Sequence, residues 1–218
     1  MKIFAISDIH GALKPIELAS DYIKNSDLII ISGDISKHGT REDAFAVIQT
    51  IENLNKNILA VHGNMDKKEV IDLLEERGYN LHANGKVVDG IGFFGVGGSS
   101  KTLLNTRCEY SEEEIHEFVT EGFNKIKDVK TAVLISHTPP RGTRDRSFWG
   151  LRGGSKSVAQ FLHDHAIHLC IVGHIHEANG VEMLNRTIVA NPGSFKSGKF
   201  FSIEIGTDIR IDAGRVAV

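Results

Sequence analysis

Five runs of consecutive apolar residues recur along the chain, and each leads into a short segment rich in Asp, His or Asn. The runs are Ile3-Phe4-Ala5-Ile6, Leu28-Ile29-Ile30-Ile31, Ile58-Leu59-Ala60-Val61, Ala132-Val133-Leu134-Ile135 and Leu169-Cys170-Ile171-Val172. Strands without polar alternation are buried on both faces, so other layers must cover them on each side. The segments that follow are Asp8-Ile9-His10, Gly33-Asp34, Gly63-Asn64-Met65-Asp66, Ser136-His137 and Gly173-His174-Ile175-His176. Ligands of open α/β sheets bind outside the carboxyl ends of the strands, where such segments converge.

Periodicity predicts a strand at about 2–7, a helix near 13–25, a strand near 27–32, a helix near 41–55, a strand near 58–62 and a helix near 67–77. This βαβαβα opening implies a parallel sheet with covering helices. Short strands follow at Val87-Val88 and Ile91-Gly92-Phe93-Phe94, joined by Asp89-Gly90, a dipeptide suited to a tight hairpin. Ser111 and Glu114 form a capping box for a helix running to about Lys127. A strand at 131–135, a helix near 155–166 and strands near 169–173, 179–184, 187–190 and 199–205 complete the pattern. Gly97-Gly98-Ser99-Ser100 reads as a flexible loop, and Asn191-Pro192-Gly193-Ser194 as a turn. The expected fold class is α/β, a four-layer αββα sandwich of two mixed β-sheets flanked by helices, with a metal site at the strand ends. One domain spanning 1–218 is expected.

A formal charge of −3 offers no basic excess, which disfavours nucleic acid as a partner. The first apolar run breaks at Ser7-Asp8, short of a signal peptide, and no later run reaches the length of a membrane span. A cytoplasmic protein is expected. Cys108 and Cys170 stand far apart outside any CxxC pattern, so both read as reduced thiols.

Carboxylate and imidazole donors without thiolate suit Mn²⁺, Fe, Zn²⁺ or Ni²⁺. In an extended backbone Asp8 and His10 point to the same side, as do His174 and His176, so each pair can enter one metal cluster. The ordered segments resemble the calcineurin-like metallophosphoesterase superfamily, and within it the small prokaryotic phosphodiesterase-like branch. Its pattern runs D-x-H, G-D, G-N-H-[D/E], H and G-H-x-H. The resemblance implies that Asp8, His10 and His176 bind a first cation, that Asn64, His137 and His174 bind a second, and that Asp34 bridges them. It implies two divalent cations, Mn²⁺ first among the candidates, and phosphoester hydrolysis by a hydroxide that bridges them.

Met65 stands where that family places a histidine that stabilises the transition state or protonates the leaving group, and a thioether has no proton to give. The departure favours a phosphodiesterase over a monoesterase. Candidate catalytic residues are Asn64, His137, Asp66 and His38, with His38 the substitute acid; its alternative is a solvated loop histidine. His62 reads as structural. The loop from Pro139 to Gly154 follows His137 directly, and its Arg141, Arg144 and Trp149 are candidate substrate-binding residues for a small, nucleotide-like phosphoester. The alternative is an exposed loop packing on the body of the protein or on a second copy, as in a homo-oligomer. Two other functions compete: a phosphomonoesterase acting on a nucleotide or other small phosphate, and a catalytically weak metal-binding scaffold. Retention of all seven ligand positions argues against the scaffold.

Overall fold

In the computed structural model, which describes residues 1–102, 105–126, 128–148 and 150–218, strands and helices alternate as the periodicity predicts. The elements are β1 (Lys2–Ile6), α1 (Lys14–Leu18), α2 (Ser20–Lys24), β2 (Leu28–Ser32), α3 (Arg41–Glu52), β3 (Ile58–Val61) and α4 (Lys68–Glu76). Next come β4 (Asn84–Val88), β5 (Ile91–Val96), β6 (Ser99–Ser100), β7 (Glu109–Tyr110), α5 (Glu112–Asn124) and β8 (Thr131–Ser136). The chain closes with α6 (Lys156–Asp164), β9 (Leu169–Val172), β10 (Gly180–Leu184), β11 (Thr187–Asn191), β12 (Lys199–Ile205) and β13 (Ile209–Arg215).

Two mixed sheets form, in the orders β13-β12-β1-β2-β3 and β10-β11-β9-β8-β5-β4. Strand alternation sorts the side chains into layers. Ile3 and Ala5 of β1 join Ile30, Leu59, Phe93, Val133, Ile135, Leu169 and Ile171 between the sheets. Phe4 and Ile6 point the other way, onto Ile16, Ile23, Val47, Ile48, Val70 and Leu73 of the helices. Beyond the second sheet, Phe94, Leu134 and Cys170 pack with Ile115, Val119, Val158 and Phe161. Burying each such large side chain stabilises by about 1.5–3 kcal/mol. This is the expected αββα sandwich, and its continuous apolar runs are the strands with helices or a second sheet on both faces.

Four local expectations change. The helix near 13–25 is two short helices, because Ala19 leaves helical geometry at φ −92° and ψ 9°. Gly97 to Ser100 is no loose loop: Gly98 N–H donates to the His62 carbonyl, and Ser99 and Ser100 pair with Glu109 and Tyr110. The C-terminal strand β13 was hidden by its partly exposed position, although Ile209, Ile211 and Ala213 alternate with Arg210 and Asp212. The expected end of the 111–127 helix falls at Asn124, and its Ser111–Glu114 capping box is present. Lys127 itself lies outside the described residues. Asp89 and Gly90 both have positive φ, as a tight hairpin turn requires.

Candidate metal centre

The carboxyl ends of β1, β2 and β3 in one sheet and of β8 and β9 in the other deliver Asp8, Asp34, Asn64, His137 and His174. The chain does not leave these strands in extended form, which corrects the expectation for Asp8-x-His10 and His174-x-His176. Asp8, His10, Asp34 and His174 all lie in the left-handed region, at φ +55°, +47°, +52° and +68°. Such residues cost of order 1–3 kcal/mol each and persist where surrounding contacts over-determine them. Here the turns are laced together: Asp8 N–H donates to the Gly33 carbonyl at 3.0 Å, His10 N–H to Asp34 at 2.9 Å, and Gly173 N–H to His137 at 3.0 Å.

Asp34 sits between two groups of side chains. Its Oδ2 lies 3.7 Å from His10 Nε2 and its Oδ1 lies 3.6 Å from His137 Nε2. On one side the ligand atoms of Asp8, His10 and His176 fall within 4.8 Å of one another. On the other, Asn64 Oδ1 is 2.9 Å from both His137 Nε2 and His174 Nδ1. His174 and His176 therefore face different groups.

The donor chemistry fits cations. His137 Nδ1 lies 2.7 Å from the Ser32 carbonyl, an acceptor, so that nitrogen carries the proton. With the proton on Nδ1, Nε2 and the Asn64 oxygen 2.9 Å away offer two donor atoms to one cation. Asp8 Oδ1 is buried, and the hydrogen bond it accepts from His176 Nε2 at 3.0 Å is poorly aligned, which leaves the oxygen under-satisfied. Burial, with the negative charges of Asp8 and Asp66, outweighs His137 and pushes the Asp34 carboxyl up to about 7. Burial acts on Asp8 in the same direction, but the His176 hydrogen bond and the charges of His137 and His176 hold it at about 2. Burial lowers His10, and together with His137 takes His174 down to about 3, so these rings present lone pairs. His176 is raised by its hydrogen bond to Asp8. Crowded, desolvated acceptors of this kind favour metal binding.

Gly63 has a packing reason. A Cβ there would fall on the Asp34 carboxylate and its backbone nitrogen. Asp66 is fully buried, and its oxygens accept from the N–H groups of Gly63, Ile35 and Ser36 and from the Ser36 hydroxyl. It ties the loops after β2 and β3 together. His38 is exposed, and both its ring and its N–H engage Asp43 at the start of α3. Arg144 bonds the carbonyls of Asn179 and Val181 and pairs with Glu182, along the edge of β10. Arg141 donates to the Arg152 carbonyl and remains exposed. Trp149 lies outside the described residues. The loop of Arg141 and Arg144 does approach the centre at its base, since a Cβ on Gly153 would stand 3.7 Å from His174 Nε2.

Sequence reasoning passed over Ser32, the one polar residue of an otherwise apolar strand, whose carbonyl orients His137. It also passed over the aromatic group behind His62, which accommodates His82, Tyr110 and Phe118. His82 Nδ1 accepts from Gly97 N–H at 3.1 Å, and burial lowers its pKa from 6.5 to about 4. The folded value is depressed, so this contribution to stability is whole above pH 6.5 and is lost as the pH falls toward 4. A loss of about 2–3 kcal/mol over that window is expected in urea unfolding. An identical pH slope in His82→Gln would refute the assignment.

The sequence pattern described as calcineurin-like phosphoesterase matches residues 1–178. An uncharacterized protein of Methanocaldococcus jannaschii is 36% identical over 202 residues, covering 88% of each chain. A probable glycerophosphodiester phosphodiesterase of Arcobacter nitrofigilis is 28% identical over 216 residues, covering 94% of this chain and 75% of the relative. The crystal structure of TT1561 from Thermus thermophilus superposes with a TM-score of 0.73 at 18% identity, covering 98% of both chains. With candidate metal ligands gathered at the strand ends and its sequence matched over most of its length, the chain belongs to the calcineurin-like phosphoesterase family.

Proposed function

We propose that this protein is a binuclear metal-dependent phosphodiesterase acting on a small phosphoester, with residues 1–218 forming a single domain. The placement of Asp34, with one carboxylate oxygen toward His10 and the other toward His137, carries the reading. Asp8, His10 and His176 would hold one divalent cation, Asn64, His137 and His174 a second, and Asp34 would serve both. When bound, such a pair supplies an acidified water as nucleophile and neutralises the phosphoryl oxygens. Mn²⁺ is the first candidate, on the mixed oxygen and imidazole donor set. The chain's own residues do the rest: Ser32 keeps the His137 tautomer, Asp66 holds the two ligand loops in register, and the Met65 N–H donates to Asp34 Oδ1 at 2.8 Å. A cytoplasmic location accords with the free thiols Cys108 and Cys170.

Preference for a diester rests on Met65. Without an acid at this position the leaving alcohol departs as an anion, which suits acidic alcohols. The name of the Arcobacter nitrofigilis relative supports the same class. In Mn²⁺, a nitrophenyl phosphodiester is expected to turn over faster than the nitrophenyl monoester; the reverse order would favour the monoesterase reading. Met65→His is expected to raise monoesterase turnover by about 10²-fold, the lower end of what a positioned acid contributes. Unchanged monoester turnover in that variant would remove Met65 as the determinant.

A further inference from the structure

Arg107 belongs to no motif, yet the fold brings it to the residue that departs from the family pattern. Its Nη1 donates to the Met65 carbonyl at 2.8 Å. The N–H of the same Met65 reaches the Asp34 carboxylate, so the guanidinium and the central carboxylate flank one residue. The side chain is wedged as well as bonded: a Cβ on Gly39 would stand 2.8 Å from Arg107 Cδ and 3.0 Å from its Nε.

The backbone beneath it is fixed from several directions. Cys108 N–H donates to the Asn64 carbonyl at 3.0 Å, and the Cys108 carbonyl accepts from Ser99 N–H at 3.1 Å. The Glu109 carboxylate accepts from the N–H and hydroxyl of Thr102 and of Thr106, at 2.7–3.0 Å. Against the upward push of burial, these bonds hold Glu109 to a pKa of about 2, so the clamp stays charged at any ordinary pH. Arg107 forms no ion pair among the described residues, although it is exposed and its guanidinium has five donors, one of them directed at Met65. A charged fork bonded to the residue whose N–H reaches Asp34, and keeping further donors without a partner among the described residues, is suited to an anionic oxygen.

We propose that Arg107 is a substrate-binding residue whose guanidinium grips an oxygen of the phosphate ester on the side where residue 65 supplies no proton. The proposal rests on the reading of this centre as a phosphoester site. Arginine donates hydrogen bonds but gives up no proton, so it lowers the charge on a phosphoryl or leaving oxygen without acting as an acid. That matches a site which handles good leaving groups.

The test is calorimetric binding of inorganic phosphate to the Mn²⁺-loaded protein, comparing wild type with Arg107→Met and Arg107→Lys. Arg107→Met is expected to weaken phosphate by at least about tenfold with bound Mn²⁺ and melting temperature unchanged, and Lys to recover part of the loss. Equal phosphate affinity in Arg107→Met with intact metal content would overturn the proposal. So would a drop in Mn²⁺ content or melting temperature shared by both variants, which would assign Arg107 to holding the Met65 turn. Should Arg107→Met not fold, Arg107→Lys decides alone: it keeps the charge without the fork, and wild-type affinity in it overturns the proposal. No turnover enters this measurement. Diester preference of the wild type is read separately, so either idea can fail while the other stands.

Discussion

Asp34→Asn is expected to lower Mn²⁺-dependent turnover by about 10³-fold or more and to cut the bound cations to one or fewer per chain. The magnitude follows from the several kcal/mol that a cation pair contributes to phosphoryl transfer, each 1.36 kcal/mol being tenfold in rate. Asn keeps the shape of Asp but replaces one acceptor oxygen with an N–H donor. Because Met65 N–H donates at the Oδ1 position, the amide oxygen stays there and the new donor takes the Oδ2 position, 3.7 Å from His10 Nε2, where it satisfies a lone pair that would otherwise serve a cation. Folding gives an internal control. The folded Asp34 carboxyl is raised from 3.8 to about 7, so its stabilising contribution is whole below pH 3.8 and is lost as pH rises through 7. Metal-free Asp34→Asn lacks that loss and is expected to be at least as stable as metal-free wild type at pH 8. Elemental analysis and thermal melting of the same samples separate the effects. Two retained cations with more than a tenth of the activity would rule out the proposed bridging role of Asp34.

Gly33→Ala should damage the centre from behind, without touching a ligand. Gly33 has φ +100°, a conformation that L side chains rarely adopt, and a Cβ there would strike His137 Nδ1 and stand 2.9 Å from Gly63 Cα. Backbone strain costs about 1–3 kcal/mol and overpacking about another 1–3. A loss of about 3–5 kcal/mol follows, a fall in melting temperature of about 10 °C for a chain of this size. Relief of the clash moves the ring that Ser32 orients, so metal affinity is expected to fall together with stability. Gly78→Ala is the comparison: its Cβ meets nothing within 4 Å, although its φ of +71° carries strain of its own. If Gly33→Ala kept wild-type metal affinity, the close packing behind His137 would have no functional part.

Much of the architecture could be read from local pattern because the strands are buried on both faces. Runs such as Leu28-Ile29-Ile30-Ile31 have no second reading once a polar segment and a helix follow. Elements with one exposed face were harder. β13 pairs with β12 along Lys199–Ile205, yet its Arg210 and Asp212 dilute the apolar signal. The pairing of Ser99 and Ser100 with Glu109 and Tyr110 joins stretches about ten residues apart, and no local propensity encodes it.

The candidate site divides along the same line. The order of Asp8, His10, Asp34, Asn64, His137, His174 and His176, each at a strand end, was enough to nominate seven side chains, because strand direction sends all five turns to one edge. Conformation was not local information. The left-handed turns at Asp8, His10, Asp34 and His174 exist because bonds between neighbouring loops hold them, and those bonds form only when the strands are side by side. The same holds for the surrounding residues. Asp66 and Arg144 carry the right chemistry for a site; buried amides bond the first and the β10 edge bonds the second. Arg107 has no motif, and packing sets it against Met65. Residue type and strand order therefore determined which atoms meet. Tertiary hydrogen bonding and close packing decided which way each one faces, because only contacts between distant segments can satisfy or occupy a buried polar group.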